Sequence, residues 1–235
     1  NMVLFPGVLL PVTVGRPKSQ RLVSKAYEQE QLLAVCCQRE KEIQEPGVND
    51  LYNMGTAARI VRIVELPDGS LMVILEGLER IEAEEFIMSR GVMKAKVKVI
   101  PEHFPKRGDK HFLAVVSNIK DQAMQVIKYS ENMTPDAGMT LRGIDNPPTL
   151  VNYVCVNFGI KIAEKQELLA INEIADRALH LLEILNKEVQ MLEMKQEIKD
   201  KTKEDIDKDQ REYYLHHQGF SIDLHQLQNH HLQNQ

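Results

Sequence analysis

Between Gly159 and Gly219 the chain has neither glycine nor proline. These are the strongest helix breakers, so a run this long without them predicts very long helices. All ten prolines lie at or before Pro148, which divides the protein into a proline-punctuated front and an uninterrupted back. Tryptophan is missing and aromatic residues make up only 5%. The core must therefore rest on Leu, Ile, Val and Met. No dense block of Lys or Arg occurs and the net charge is −5, which argues against a nucleic-acid partner, since that needs a basic patch to displace counterions. No apolar run reaches the ~18 residues of a membrane span, so no membrane partner is expected. The three cysteines, Cys36, Cys37 and Cys155, have no metal-ligand spacing, and their odd number argues against a disulfide scaffold. They read as buried reduced thiols of a cytoplasmic protein.

The opening Asn1-Met2-Val3-Leu4-Phe5-Pro6 has no charged n-region and no cleavage site. It enters an apolar run at once, so the natural N-terminus is expected upstream. The run Val3 to Val14 carries Pro6 and Pro11, which confine such a strand to an edge or split it at a bulge. A short helix is expected from Ser19 to Glu30, with Leu22, Val23, Ala26 and Tyr27 on one face. Gln31 to Gln38 reads as a buried strand.

The clearest β signal is Ala57 to Leu66 and Leu71 to Glu76 around Pro67-Asp68-Gly69-Ser70. In that turn proline presets φ and glycine accepts positive φ. Gly77 is expected to turn the chain again. Beyond it Ile81, Ala83, Glu85 and Ile87 share one face of a strand, and Arg80, Glu82, Glu84 and Phe86 the other. Glu82, Glu84 and Glu85 beside Arg80 have no convergent partner and read as a solvated face. In the next strand Met93, Ala95, Val97 and Val99 alternate with Lys94, Lys96 and Lys98, one face in the core and one in water. The expectation is a meander forming a compact twisted sheet or half-open barrel.

Pro101 to Gly108 reads as a linker, and helices follow. Phe112, Leu113, Val116, Ile119, Ala123 and Ile127 form one helical face. Thr134-Pro135-Asp136 and Asn146-Pro147-Pro148 are helix starts, each with a cap before proline. The second helix should end at Gly159. In the glycine-free run Ile174, Ala178, Leu181, Leu182, Leu185, Val189 and Leu192 fall on one stripe. From Glu193 to Glu212 only Met194, Ile198 and Ile206 are aliphatic, while Glu197–Lys201, Glu204–Lys208 and Asp207–Arg211 are acid-before-base pairs at i,i+4. A continuous helix from Asn172 to Gln218 would measure roughly 70 Å. The fold class is thus α+β: an antiparallel β-rich subdomain, then an all-α bundle ending in a very long helix.

Several stretches agree in order with a known family. Leu4-Phe5-Pro6-Gly7-Val8-Leu9-Leu10-Pro11-Val12 resembles the start of the substrate-recognition region of Lon, the ATP-dependent serine protease. Gly55-Thr56-Ala57-Ala58 precedes the Pro67-Asp68-Gly69 hairpin, and Glu76-Gly77-Leu78-Glu79-Arg80 follows it. Glu164-Lys165-Gln166-Glu167-Leu168-Leu169, Leu181-Leu182-Glu183-Ile184-Leu185 and Asp209-Gln210-Arg211-Glu212-Tyr213-Tyr214-Leu215 come later. Each motif alone is weak; their order and spacing, over residues 3 to 217, make the resemblance strong.

The resemblance implies a PUA-like β-rich subdomain over 1–104, a helical bundle over 109–192, and a charged helical extension over 193–217 toward an ATPase module. It implies capture of unfolded or damaged proteins in protein quality control, and association with other copies of the chain in a ring. ATP and magnesium are implied for the parent enzyme only. Residues 218–235, rich in Gln and His, depart from the family and read as a tail of foreign or out-of-frame origin, with the natural helix cut near Gly219.

The catalytic parts of such an enzyme are not found. A phosphate-binding loop needs a lysine at the end of a Gly-rich turn, and the chain contains no Gly-Lys dipeptide. No G-x-S-x-G, H-E-x-x-H or Cys-His arrangement occurs, so no catalytic, cofactor or metal residue is expected. His216, His217, His225, His230 and His231 lack a fixed ligand pattern and read as a solvated tail. Thioethers repack around varied partners. Met133 and Met139 beside a loop, and Met191 and Met194 on the long helix, are therefore the candidate substrate or subunit contacts. Two other readings remain open: a purely structural oligomerisation arm, and a stand-alone PUA-like domain binding a small molecule or RNA.

Overall fold

The computed structural model describes residues 2–40, 42–43, 46–89, 92–130, 133 and 135–232, with backbone alone at 135, 212 and 214–232. The elements are β1 (Leu9–Val14), α1 (Pro17–Glu28), β2 (Leu33–Gln38), β3 (Leu51–Glu65), β4 (Leu71–Ser89), β5 (Val92–Ile100), α2 (Lys110–Tyr129), α3 (Pro135–Gly143), α4 (Pro147–Asn157), α5 (Ile162–Ala170) and α6 (Ile174–Leu232). Two compact units result, Asn1–Lys187 and Glu188–Gln235.

The first unit opens with one antiparallel five-stranded sheet in the order β1-β4-β3-β2, with β5 also on β4. The β3–β4 hairpin closes where Asp68 Oδ1 accepts the Ser70 amide at 3.0 Å and Gly69 takes φ +78°. Strand β4 is long enough to serve two partners. Its Leu71–Glu76 part pairs with β1 and its Arg80–Ser89 part with β5. Gly77, expected to turn the chain, instead lies inside β4 at a register shift opposite Ala57 and Ala58. A Cβ there would lie 2.2 Å from the Phe5 carbonyl oxygen, so glycine is required for close passage of the N-terminal segment rather than for a turn. That segment is pinned by Gly7 N–H to Gly77 O at 2.8 Å and Gly77 N–H to Val8 O at 3.0 Å. Helix α1 covers the sheet, burying Val23 and Ala26 with Leu4, Ala58, Ile60, Val73 and Leu75, while Tyr27 stays exposed.

A second register shift, between Ala83 and Glu85, places Glu84 as the extra residue opposite β5. The bulge exchanges the faces expected for the rest of β4. Phe86 now lies across from Ala95 and Met88 across from Met93, in line with the Ile81–Val99 and Ala83–Val97 pairs. Glu85 and Ile87 turn outward and are exposed. Nor is the apolar face of β5 in the core: Val97 is 38% and Val99 48% exposed.

Helices complete the unit. Asp109 caps α2, its Oδ1 accepting the Phe112 amide at 2.9 Å. Asn146 caps α4 through the Thr149 amide at 2.9 Å, with proline in the first turn. Thr134, the expected cap of α3, lies outside the described residues. Their core includes Phe112, Ile119, Val151, Val154, Leu168 and Leu181, with Val115 and Val126 of α2 buried where Leu113 is 44% exposed. The helix expected to end near Gln218 runs through Gly219 to Leu232; one interior glycine costs only about 1 kcal/mol. Every side chain from Glu193 to Arg211 is exposed. There Gln196 Nε2 donates to Asp200 Oδ1 at 3.0 Å and Thr202 Oγ1 to Ile198 O at 2.8 Å.

Candidate functional site

Two polar arrangements in the first unit matter, and neither was foreseen from sequence. One is internal. Arg80, expected on a solvated strand face, is fully buried. Its Nη1 donates to Leu169 O (2.8 Å) and Ile171 O (3.0 Å), and its Nη2 to Pro101 O (2.6 Å) and Asn172 Oδ1 (3.0 Å). Arg177 of α6 is equally buried. Its Nη1 donates to Glu102 Oε1 at 2.6 Å and Asn152 Oδ1 at 2.8 Å, and its Nη2 to Ile171 O at 2.7 Å. Glu102 also stands 3.7 Å from Arg80 Nε. Burial and the neighbouring Arg177 pull the Arg80 pKa down, while Glu102 pulls it back up.

Asn152 Nδ2 donates in turn to Pro6 O at 3.0 Å, and the Arg177 guanidinium sits 5.7 Å from the Phe5 ring centre. The cluster thus fastens β4, the Pro101–Glu102 segment, α4, the α5–α6 connection and the N-terminal segment. Next to them, buried Lys165 donates to Val156 O at 2.6 Å, and burial pushes its pKa down. Burial likewise pushes the Cys155 thiol up to about 12 and the Cys36 thiol up to about 11, which keeps them protonated and unreactive. These groups serve the fold. The signal available in sequence was an arginine in a strand and an asparagine in an apolar helix.

The other arrangement faces outward. A cleft of about 990 Å³ opens between the first turns of α1, the Pro46–Val48 loop and the β4–β5 end bearing Met88, Val92 and Met93. Its apolar lining includes Leu22, Val48, Met88 and Met93. It continues the β4–β5 face described above, so the bulge at Glu84 is what brings Met88 into it. Arg16, Lys18 and Arg21 stand along the α1 side. Lys18, Arg21 and Leu22 share one helix face by their spacing. No Asp or Glu lines the cleft among the described residues, and none of the three cations forms an ion pair there.

The methionines singled out in the sequence lie elsewhere. Met139 on α3 is 70% exposed, and Met133, just before α3, is half-buried. Met191 and Met194, on α6 in the second unit, are 46% and 58% exposed. Side chains of the tail histidines lie outside the described residues. Among the described residues no group of three or more His, Cys, Asp or Glu side chains could hold a metal ion, and no helix is long and apolar enough to cross a membrane.

Known proteins match along nearly the whole chain. It is 38% identical to the Lon protease of Flavobacterium johnsoniae over 94% of its length and 27% of that relative. With the Lon protease of Parabacteroides distasonis it shares 41% identity over 93% of its length and 26% of that relative. The chain therefore spans about a quarter of the length of the curated relatives it matches. A crystal structure of a Lon N-terminal domain protein from Xanthomonas campestris superposes with TM-score 0.55 at 16% identity, covering 77% of this chain and 92% of the other. The N-terminal domain of Mycobacterium avium complex Lon protease does so with TM-score 0.55 at 15% identity, over 81% and 94%. Those likenesses establish the fold. A family profile, described as the ATP-dependent protease La (LON) substrate-binding domain, matches residues 1–187. The chain belongs to the substrate-binding domain family of the ATP-dependent Lon proteases.

Proposed function

We propose that this chain is the non-catalytic substrate-recognition region of a Lon-type ATP-dependent protease acting in cytoplasmic protein quality control. It binds exposed apolar segments of unfolded or damaged proteins and passes them to ATPase and protease domains in the parent protein. ATP and magnesium serve those domains. The observation that carries the reading is the half-exposed apolar face of β4 and β5, with Phe86, Met88, Met93, Val97 and Val99 along it. Contiguous exposed apolar surface is characteristic of interaction sites, and methionine adapts to varied partners. Weak single contacts gain strength when several copies act on one substrate. The division into a β-rich part over 1–104, a bundle over 109–192, an extension over 193–217 and a tail over 218–235 belongs to the same proposal.

The test is titration with a denatured protein and with its folded form. Tighter binding of the denatured form, weakened several-fold by Met88→Gln with Val99→Thr, is the expected result. Equal binding of both forms overturns the reading. A second role, ring assembly, is favoured by the 59 residues of α6, exposed throughout Glu193–Arg211. Met191 and Met194 would then contact neighbouring copies, with Met133 and Met139 left to substrate. Alanine replacement of the charged residues between Glu197 and Arg211 should impair assembly of the full-length protein; unimpaired assembly would reduce the helix to a tether.

A further inference from the structure

We propose that the cleft beside α1 selects peptide segments in which carboxylate side chains stand next to apolar ones. The inference rests on the peptide-capture reading above and adds a substrate chemistry to it. Its basis is charge complementarity within one concave site. The floor is apolar, formed by Leu22, Val48, Met88 and Met93. The α1 wall carries Arg16, Lys18 and Arg21, with no carboxylate lining the cleft among the described residues. Elsewhere on the sheet, on faces turned away from the cleft, cations find partners: Arg59 pairs with Glu76, and Lys96 with Glu84 at 3.4 Å. Three cations with no counter-charge among the described residues, around an apolar floor, leave room for a ligand that supplies one.

The size of the site distinguishes a peptide from a lone ion. At about 990 Å³ the cleft reaches the upper end of the range that drug-sized ligands occupy. Several side chains fit, and an inorganic anion would leave the methionine floor empty. Lys18 and Arg21, one helical turn apart, flank Leu22. An extended ligand with alternating side chains could set apolar groups on Leu22 and Met88 while its carboxylates meet the cations along the wall. The whole chain carries a net charge of −5, so its overall field disfavours an acidic ligand. A preference for acidic peptides must therefore arise locally, and short screening lengths in salt should erase it.

The experiment compares three fluorescent peptides of one length and one apolar pattern, whose alternate positions are Glu, Gln or Lys, by anisotropy titration of the 235-residue chain. Denatured protein is titrated in parallel. The expected result at low salt is that the Glu peptide binds roughly tenfold more tightly than the Gln peptide, the size that a few exposed charge contacts supply. The Lys peptide should bind most weakly, and the gap should close at high salt. The variant carrying Arg16→Glu and Arg21→Glu should reverse the order, and its unchanged circular dichroism would certify the fold. Equal binding of the three peptides overturns the charge selectivity and leaves peptide capture standing. An acidic preference that survives in the double variant overturns the assignment to this cleft. Binding of denatured protein without binding of any peptide overturns the selectivity alone, whereas failure of denatured protein and peptides alike overturns the capture reading itself.

Discussion

Two groups of cations in this protein have opposite fates. Arg80 and Arg177 are fully buried, share Glu102 and donate to carbonyls of several segments. Arg16, Lys18 and Arg21 are exposed along an open cleft that no carboxylate lines among the described residues. The buried guanidiniums are tolerable only because their fixed forks meet fixed acceptors, since an unpaired buried charge is costly. The exposed cations remain hydrated and incur no such cost, which leaves them free to meet a partner. The first group joins strands to helices and the second is available for recognition.

The largest expected effect comes from breaking the buried group. Glu102→Ala leaves Arg80 and Arg177 facing one another without their carboxylate, and should lower stability by about 3–5 kcal/mol. Denaturant unfolding measures it, and a loss below about 1 kcal/mol would mean that the backbone carbonyls alone hold the arginines. Gly77→Ala asks whether the N-terminal segment, which sets Phe5 on Arg177, depends on close passage across β4. With the Phe5 carbonyl only 2.2 Å from the new Cβ, strain of about 1–3 kcal/mol is expected, together with loss of amide-exchange protection at Gly7. The smallest effect is expected from the triple variant Arg16→Ala, Lys18→Ala and Arg21→Ala. Its stability should lie within about 0.5 kcal/mol of the parent, as for surface changes generally. A larger loss in thermal unfolding would place these residues with the structural group and erase the contrast.

Much of the fold was legible in the chain. The hairpin around Pro67-Asp68-Gly69-Ser70, the cap at Asn146 and the stripe from Ile174 to Leu185 work through neighbours two to four residues away. Local chemistry is enough for such features. The candidate site was less legible. Met88 and Met93 face each other only because Glu84 is an extra residue against β5, and strict alternation assigns the opposite face to everything beyond it. One inserted residue reverses a period of two, and no residue type at Glu84 announces the insertion.

By itself, then, the sequence determined the succession of a β-rich front and a helical back, the hairpin at Pro67-Asp68-Gly69-Ser70, the cap at Asn146, the absence of helix breakers between Gly159 and Gly219, and the kinship to Lon. It did so because these depend on short-range backbone chemistry and on a long ordered series of motifs. Only the tertiary structure decided that Arg80 is internal, that Gly77 admits a crossing segment, and that Met88 shares a cleft with Arg16, Lys18 and Arg21. Each of these depends on which distant segment lies opposite: Leu169 and Ile171 for Arg80, Phe5 for Gly77 and Met93 for Met88. Partners so far apart in sequence are set by packing, and local periodicity carries no record of them.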